Sequence, residues 1–428
     1  QTSMDTKAIT DAGLRIGTEQ MPEAQSVNSG AWICTGSSHE PEERTGISHF
    51  LEHMLFKGTA TRTAADIAET IDSLGGCLDA FTDREFVCYY ARVLPEHTSI
   101  ALEMLGDMLS RPRLDASDIA IEQRVVLEEI MACEDSPEEF LMDRFTGVIW
   151  EGSSLSRNIL GTCDSIRQLD PPALKDHWSR TYVPPAVLIS AAGRLKHEEI
   201  VQWVERHMAD LPDRDLAGEP SPRFDEPGPP EVCCHHQLLD KDCERIYLCA
   251  GTRSFGQTCP DRFASHLLDS VISGGCSSRL FQEIREKRGL VYSIGSSSAC
   301  YRVAGFLAVS ASCGAESAQE VADLIGRELR LVKVNGITRD ELERAKQQAR
   351  GGLLLATESP GERMVRNAQN EVYFDRMVPL AEVLDAVERV SLDDVHRVAH
   401  EILDNRLLNL VGVGPFGDGD LNLEMSVG

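Results

Sequence analysis

Between Leu14 and Gly36 apolar and polar residues partly alternate in two runs, Leu14-Arg-Ile-Gly-Thr-Glu and Ser26-Val-Asn-Ser-Gly-Ala-Trp-Ile-Cys-Thr-Gly. That two-residue period, bounded by glycines, predicts a pair of strands. After a polar loop from Ser37 to Thr45 the spacing changes: Ile47, Phe50, Leu51, Met54 and Leu55 recur three or four apart until Gly58, which predicts a short helix. A second helix is expected over Ala64 to Leu74, broken by Gly75-Gly76 before a strand-rich stretch from Cys77 to Val93. Helices then follow near Glu96 to Ser110 and Ala116 to Glu134, a strand over Ala186 to Ala192, and a helix from about His197 to Met208.

The stretch from Pro212 to Pro230 holds six prolines and two glycines among charges, the composition of a linker. A boundary there divides the chain into domains 1–220 and 221–428. Beyond it the pattern restarts with a strand over Arg245 to Ala250 and a helix around Asp261 to Ile272. Laying Gly58 on Gly275 sets His49-Phe-Leu-Glu-His against His266-Leu-Leu-Asp-Ser, with Ala345 opposite Glu122 and Gly352 opposite Glu129. The halves therefore read as two homologous αβ domains produced by internal duplication, each a mixed or antiparallel sheet packed with helices. The class is α+β, and the second copy has lost one histidine and both helix carboxylates.

Composition narrows the functional classes. A chain of 428 residues needs more than one core. Hydrophobic residues at 42% and charged residues at 26% exclude a disordered or fibrous chain. A formal charge of −27 argues against a nucleic-acid partner, because phosphate-backbone binding needs a basic stripe. No window approaches the roughly 18 apolar residues of a membrane span, so no membrane partner is expected. Thirteen cysteines without repeated CxxC spacing read as reduced thiols, which points to the cytoplasm; a presequence removed before residue 1 is the alternative.

The chemistry concentrates in the first predicted helices. His49 and His53 stand one turn apart, so both rings leave the same face and can share one ion. Glu52 lies beside them, placed to act on a water held by the metal without ligating it. Two histidines leave the site short of a third ligand, and the run Glu122-Gln-Arg-Val-Val-Leu-Glu-Glu-Ile offers it. Glu129, with Val125, Val126 and Cys133 as helical neighbours, is the expected ligand, since an unpaired carboxylate on an apolar stripe is unfavourable. Glu122, seven residues earlier on the same face, would orient a ligating histidine through its other ring nitrogen. Cys233-Cys-His-His invites a second metal site, but neighbouring strand residues point to opposite faces and cannot easily close on one ion.

His-x-x-Glu-His is the inverzincin order, and His49-Phe-Leu-Glu-His-Met-Leu-Phe-Lys-Gly-Thr resembles the pitrilysin family of zinc metallopeptidases. Gly75-Gly-Cys-Leu-Asp-Ala-Phe-Thr-Asp-Arg-Glu resembles that family's substrate-side strand. Gly274-Gly-Cys-Ser-Ser-Arg-Leu-Phe and Ile284-Arg-Glu-Lys-Arg-Gly-Leu-Val-Tyr resemble its second-domain signature. The spacings are similar to those of the short bacterial and mitochondrial-processing-type members. The resemblance implies one Zn2+ per chain, held by His49, His53 and Glu129, with Glu52 as general base. It also implies that Arg285 and Tyr292 hold substrate near the metal, and that Asp79, Ala80, Phe81 and Thr82 form an edge to which an extended peptide adds as a strand. Asp79 departs from the asparagine many relatives carry, which bears on specificity. The implied activity is endopeptidase cleavage of unfolded peptides inside a closed dimer chamber, in a homodimer or in a heterodimer with a related subunit. The rival expectation is a catalytically silent peptide-binding or regulatory subunit of the same fold.

Overall fold

The computed structural model describes residues 5–213, 230, 231, 234–417 and 423–427. The domain boundary expected at 220/221, most of the proline-rich stretch around it, and Cys233 lie outside the described residues.

Alternation in the first half yields β1 (Asp5–Ile9), β2 (Arg15–Gln20), β3 (Val27–Ile33), β4 (Cys77–Thr82), β5 (Val87–Val93) and β6 (Val187–Gly193). They form one sheet in the order β1-β2-β6-β3-β5-β4, antiparallel except for the β2–β6 pair. The second half supplies β7 (His236–Asp240), β8 (Ile246–Phe255), β9 (Val291–Ser296), β10 (Ala299–Cys300), β11 (Ala304–Cys313) and β12 (Asn409–Gly414). These run β10-β11-β8-β12-β7, with β9 also paired to β11, and only β7 and β12 are parallel. Leaving out β1 and β10, β2-β6-β3-β5-β4 and β7-β12-β8-β11-β9 share one order and one set of directions. The duplication is thus present in the topology as well as in the sequence.

Two compact units result, but they are not contiguous halves of the chain. One gathers the described residues within Gln1–Ile130, Arg157–Asp225 and Leu354–Val378; the other gathers those within Met131–Ser156, Glu226–Leu353 and Pro379–Gly428. The reason lies in two helices. Pro360–Phe374 brings Ala368, Val372 and Tyr373 onto Trp32, Phe86, Cys88 and Leu188 of the first sheet. Pro137–Ile149 brings Leu141, Phe145 and Ile149 onto Phe306, Ala308 and Val411 of the second. Each sheet has two apolar faces to cover, and one is covered by a helix from the other half of the sequence.

On its other face the first sheet packs the helix Ile47–Leu55. Ile47, Phe50, Leu51, Met54 and Leu55 are buried against Val27, Ala31, Ile33, Tyr89 and Ala91. Full burial of such a side chain contributes about 1.5–3 kcal/mol, so the rotation of this short helix is set by its apolar stripe. His49, Glu52 and His53 then occupy the complementary stripe. Among the described residues no helix is long and apolar enough to cross a membrane.

Candidate metal centre

The helix Ile47–Leu55 projects His49 and His53 with ring centroids 4.5 Å apart and their Nε2 atoms 3.2 Å apart. The helix Ala116–Asp135 supplies the third group: Glu129 Oε2 lies 3.7 Å from His49 Nε2 and 3.6 Å from His53 Nε2. Ligands about 2.0–2.1 Å from a tetrahedral zinc stand roughly 3.3 Å from one another, so this triangle suits that ion. Among the described residues it is the only group of three histidine, cysteine or acidic side chains close enough to hold a metal.

Hydrogen bonding prepares the set for a cation. The Nδ1–H of His53 donates to Glu122 Oε1 at 2.9 Å, which leaves its Nε2 as a lone pair facing His49. Lys57 pairs with the other oxygen of Glu122, within the buried surroundings of that carboxylate. Burial raises the Glu122 carboxyl, but the bonds from His53 and Lys57 outweigh it and hold it below the ordinary carboxylate range. Burial, reinforced by the neighbouring His53, lowers His49 to about 3, so its ring is neutral and able to ligate near pH 7. Burial also lowers His53, yet the Glu122 bond and the charges of Glu129, Glu122 and Glu52 outweigh it and raise the ring above its usual value. Glu129 Oε2 is buried with no hydrogen-bond partner. A buried carboxylate oxygen facing two imidazole nitrogens is unfavourable without a cation, and the site fits zinc on that ground.

Glu52 is 9% exposed and accepts a hydrogen bond from the Thr82 hydroxyl. Burial raises its carboxyl, against the Thr82 bond and the His53 charge. The group is therefore poised to take and return a proton.

Seven residues named from the sequence, His49, Glu52, His53, Thr82, Ala80, Glu122 and Glu129, belong to the first unit on or beside this helix pair. The β4 edge does exist, paired only with β5 among the described residues. Its side chains alternate, however, and only half face the site. Ala80 packs against the core beneath the helix Ile47–Leu55, whereas Phe81 turns to Trp32 on the opposite face, 5.7 Å between ring centroids. Asp79 Oδ1 accepts the Ala80 N–H at 2.8 Å, and its other oxygen lies 3.4 Å from the Tyr90 hydroxyl. Arg285 and Tyr292 belong to the second unit. Arg285 lies in the π-helical turn Phe281–Glu286, over the Phe281 ring, and Tyr292 is 70% exposed on β9 beneath the Arg245 guanidinium.

The apolar-stripe reason for Glu129 is corrected by the structure. Val125 is exposed and the Glu129 side chain is 42% exposed; only Oε2, the oxygen facing the two histidines, is shut away. Two contributors were not read from the sequence: Lys57 as partner of Glu122, and the Thr82 hydroxyl as partner of Glu52. Lys57 stands four residues after His53, a same-face spacing that carries the signal; Thr82 reaches Glu52 across 30 residues and leaves none. At the second candidate, His235 pairs with Glu151 at 3.2 Å rather than joining a cluster.

In the second unit the aligned positions hold Ser270, bonded to Gln348 at 2.9 Å, and a buried Ala345. One feature of the first unit survives there: Ser296, the last residue of β9, donates to Asp269 at 2.6 Å, as Thr82 of β4 does to Glu52.

Two family models together cover most of the chain. Residues 15–163 match insulinase, peptidase family M16, and residues 168–349 match the peptidase M16 inactive domain. An uncharacterized zinc protease of Bacillus subtilis is 36% identical over 91% of this chain and 93% of its own length. One from Mycobacterium leprae is 35% identical over 94% and 90%. Among solved structures, a protease from Helicobacter pylori superposes with a TM-score of 0.89 at 20% identity, covering 96% of this chain and 100% of its own. A peptidase M16 inactive domain from Pseudomonas fluorescens gives 0.86 at 18% identity, covering 99% and 100%.

Proposed function

The chain belongs to the M16 peptidases, the pitrilysin-type family, and on that premise we propose that it is a zinc-dependent endopeptidase acting on extended, unfolded peptides. The observation that carries this is the facing of His49 Nε2, His53 Nε2 and Glu129 Oε2 within 3.7 Å of one another, beside a buried carboxylate that is not part of the triangle. Its zinc-protease relatives support the reading.

Zinc, when bound, would supply Lewis acidity, lowering the pKa of water so that it can lose a proton near neutral pH and polarising the peptide carbonyl. The chain's own groups do the rest. Glu122 keeps the His53 ring in the tautomer whose Nε2 faces the site. Glu52 takes the proton from the attacking water and returns it to the departing amine, with the Thr82 hydroxyl holding the carboxylate toward the site. The free edge of β4 accepts the peptide backbone as an added strand, gripping many sequences without reading them closely. Arg285 and Tyr292 hold substrate and the developing oxyanion. We further propose a homodimer enclosing the peptide; one chain carries both residue sets, so a related partner subunit is not required.

The test is metal content and cleavage of a quenched fluorescent peptide. One zinc per chain, with cleavage lost on chelation and regained with zinc, is expected. A chain that takes up no zinc and never cuts contradicts the proposal.

A further inference from the structure

We propose that Glu40 is a positioning residue for this reaction: its carboxylate fixes the N-terminus of the helix that carries His49, Glu52 and His53. The inference rests on the peptidase reading above. Glu40 is 2% exposed, and the mechanism does not use it. Its Oε2 accepts the Gly46 N–H at 2.7 Å and its Oε1 the Ser48 N–H at 2.8 Å.

Local geometry explains why a distant residue is needed. Gly46 sits at φ +91°, and a Cβ there would stand 2.7 Å from Leu160 O and from the Gly161 Cα. Only glycine fits, so the helix begins on a residue without a side chain to cap it. The first amides of a helix have no partner within it. Glu40, at the end of the short turn Ser37–His39, meets two of them with the two oxygens of one carboxyl group at the positive end of the helix dipole. The helix has nine residues, too few to hold its shape by propensity, and the residue after Ser48 is the ligand His49. Around the carboxylate, Arg157 donates to Ser38 O at 2.9 Å and its charge favours the ionised form, while Ser48 Oγ lies 3.3 Å from His177 Nε2.

The second unit supplies a contrast. Its corresponding helix, Arg262–Ser273, meets its first amides with backbone carbonyls: Arg262 N–H to Cys259, Phe263 N–H to Pro260, Ser265 N–H to Asp261. The fold can start this helix without a buried acid. The acid is found where the ligand set is.

Glu40→Gln keeps size but turns an N–H group toward one of the two amides. Zinc affinity by chelator competition, kcat and KM at saturating zinc, and Tm are measured for wild type, Glu40→Gln and Glu341→Gln. The last removes a partly buried ion pair with Arg279 in the second unit. Expected for Glu40→Gln is zinc affinity weaker by about tenfold or more and kcat lower by about tenfold, with KM within about twofold. Glu341→Gln loses Tm with neither change. Wild-type zinc affinity and kcat in Glu40→Gln, whatever its Tm, overturn the proposal. Should that variant not fold, Glu40→Asp retains the charge one methylene short; weakened zinc binding is expected, and unchanged binding overturns it. A wild-type protein that binds no zinc overturns the peptidase reading itself.

Discussion

The Thr82 hydroxyl donates to Oε2 of Glu52, joining the last residue of the sheet edge to the one carboxylate of the motif helix that lies outside the ligand triangle. The bond joins the surface that would align a peptide to the group that would move its proton.

Removing it isolates its catalytic part. Thr82→Val is close to isosteric, and a hydrogen bond to a charged group contributes about 1.5–3 kcal/mol. At roughly 1.4 kcal/mol per tenfold, kcat is expected to fall about tenfold to a hundredfold with zinc content unchanged. Steady-state kinetics beside elemental analysis checks this.

The counterpart bond between Ser296 and Asp269 sits where no ligand set exists. Asp269 is half-buried, and its desolvation raises its carboxyl against the bonds from Ser296 and Ser273. Ser296→Ala is expected to lower unfolding stability by about 1–2 kcal/mol while zinc affinity stays at the wild-type value. Denaturant unfolding and chelator competition give the two readings.

Glu122 is held between His53 and Lys57. Glu122→Gln keeps the shape but weakens the acceptor that fixes the His53 tautomer, so zinc affinity is expected to drop by about 10–100-fold. Lys57→Met leaves that carboxylate buried with one partner fewer, and a smaller drop in the same direction is expected. Both are read by zinc titration.

Burial pushes Glu40 up to about 7, against bonds from Ser48 and Gly46 and the Arg157 charge. Its folded form therefore binds a proton more readily than the unfolded chain, whose carboxyl titrates near 4.5. That contribution to stability is complete below about pH 4.5 and is lost as pH rises through about 7, amounting to at most about 3 kcal/mol. His177, which burial lowers to about 4, works oppositely: its contribution is present above about pH 6.5 and is lost as pH falls through about 4. The two nearly cancel in the whole protein. The difference in unfolding free energy between wild type and Glu40→Gln, followed from pH 4.5 to 7, is expected to shift steadily against wild type.

Much of the site could be read from spacing alone. The i, i+3, i+4 pattern of His49, Glu52 and His53 and the seven-residue spacing of Glu122 and Glu129 are helical periodicities that survive into three dimensions, the first because the apolar stripe of Ile47, Phe50, Leu51, Met54 and Leu55 fixes rotation. Several early elements fall within a residue or two of their expected limits for the same reason, as at β2 and Ala64–Ser73. What could not be read depends on distant pairs. The helix Pro360–Phe374 reaches the first sheet across some 170 residues from β6, and a contiguous boundary cannot express that. Glu40 and Thr82 act through bonds to other elements, and neither has a periodic signature. The loss of the ligand set in the second copy was legible at Ser270, Ala345 and Gly352, while the retained Asp269–Ser296 bond needed coordinates.

The central claim is that Glu52 serves as the base beside a zinc it does not ligate. Zinc content and cleavage of a quenched fluorescent peptide, measured side by side for wild type and Glu52→Gln, test it most directly. The account predicts about one zinc in both proteins, cleavage by wild type, and a loss of at least about a hundredfold in the variant. A Glu52→Gln protein that retains zinc and cuts at the wild-type rate would contradict it.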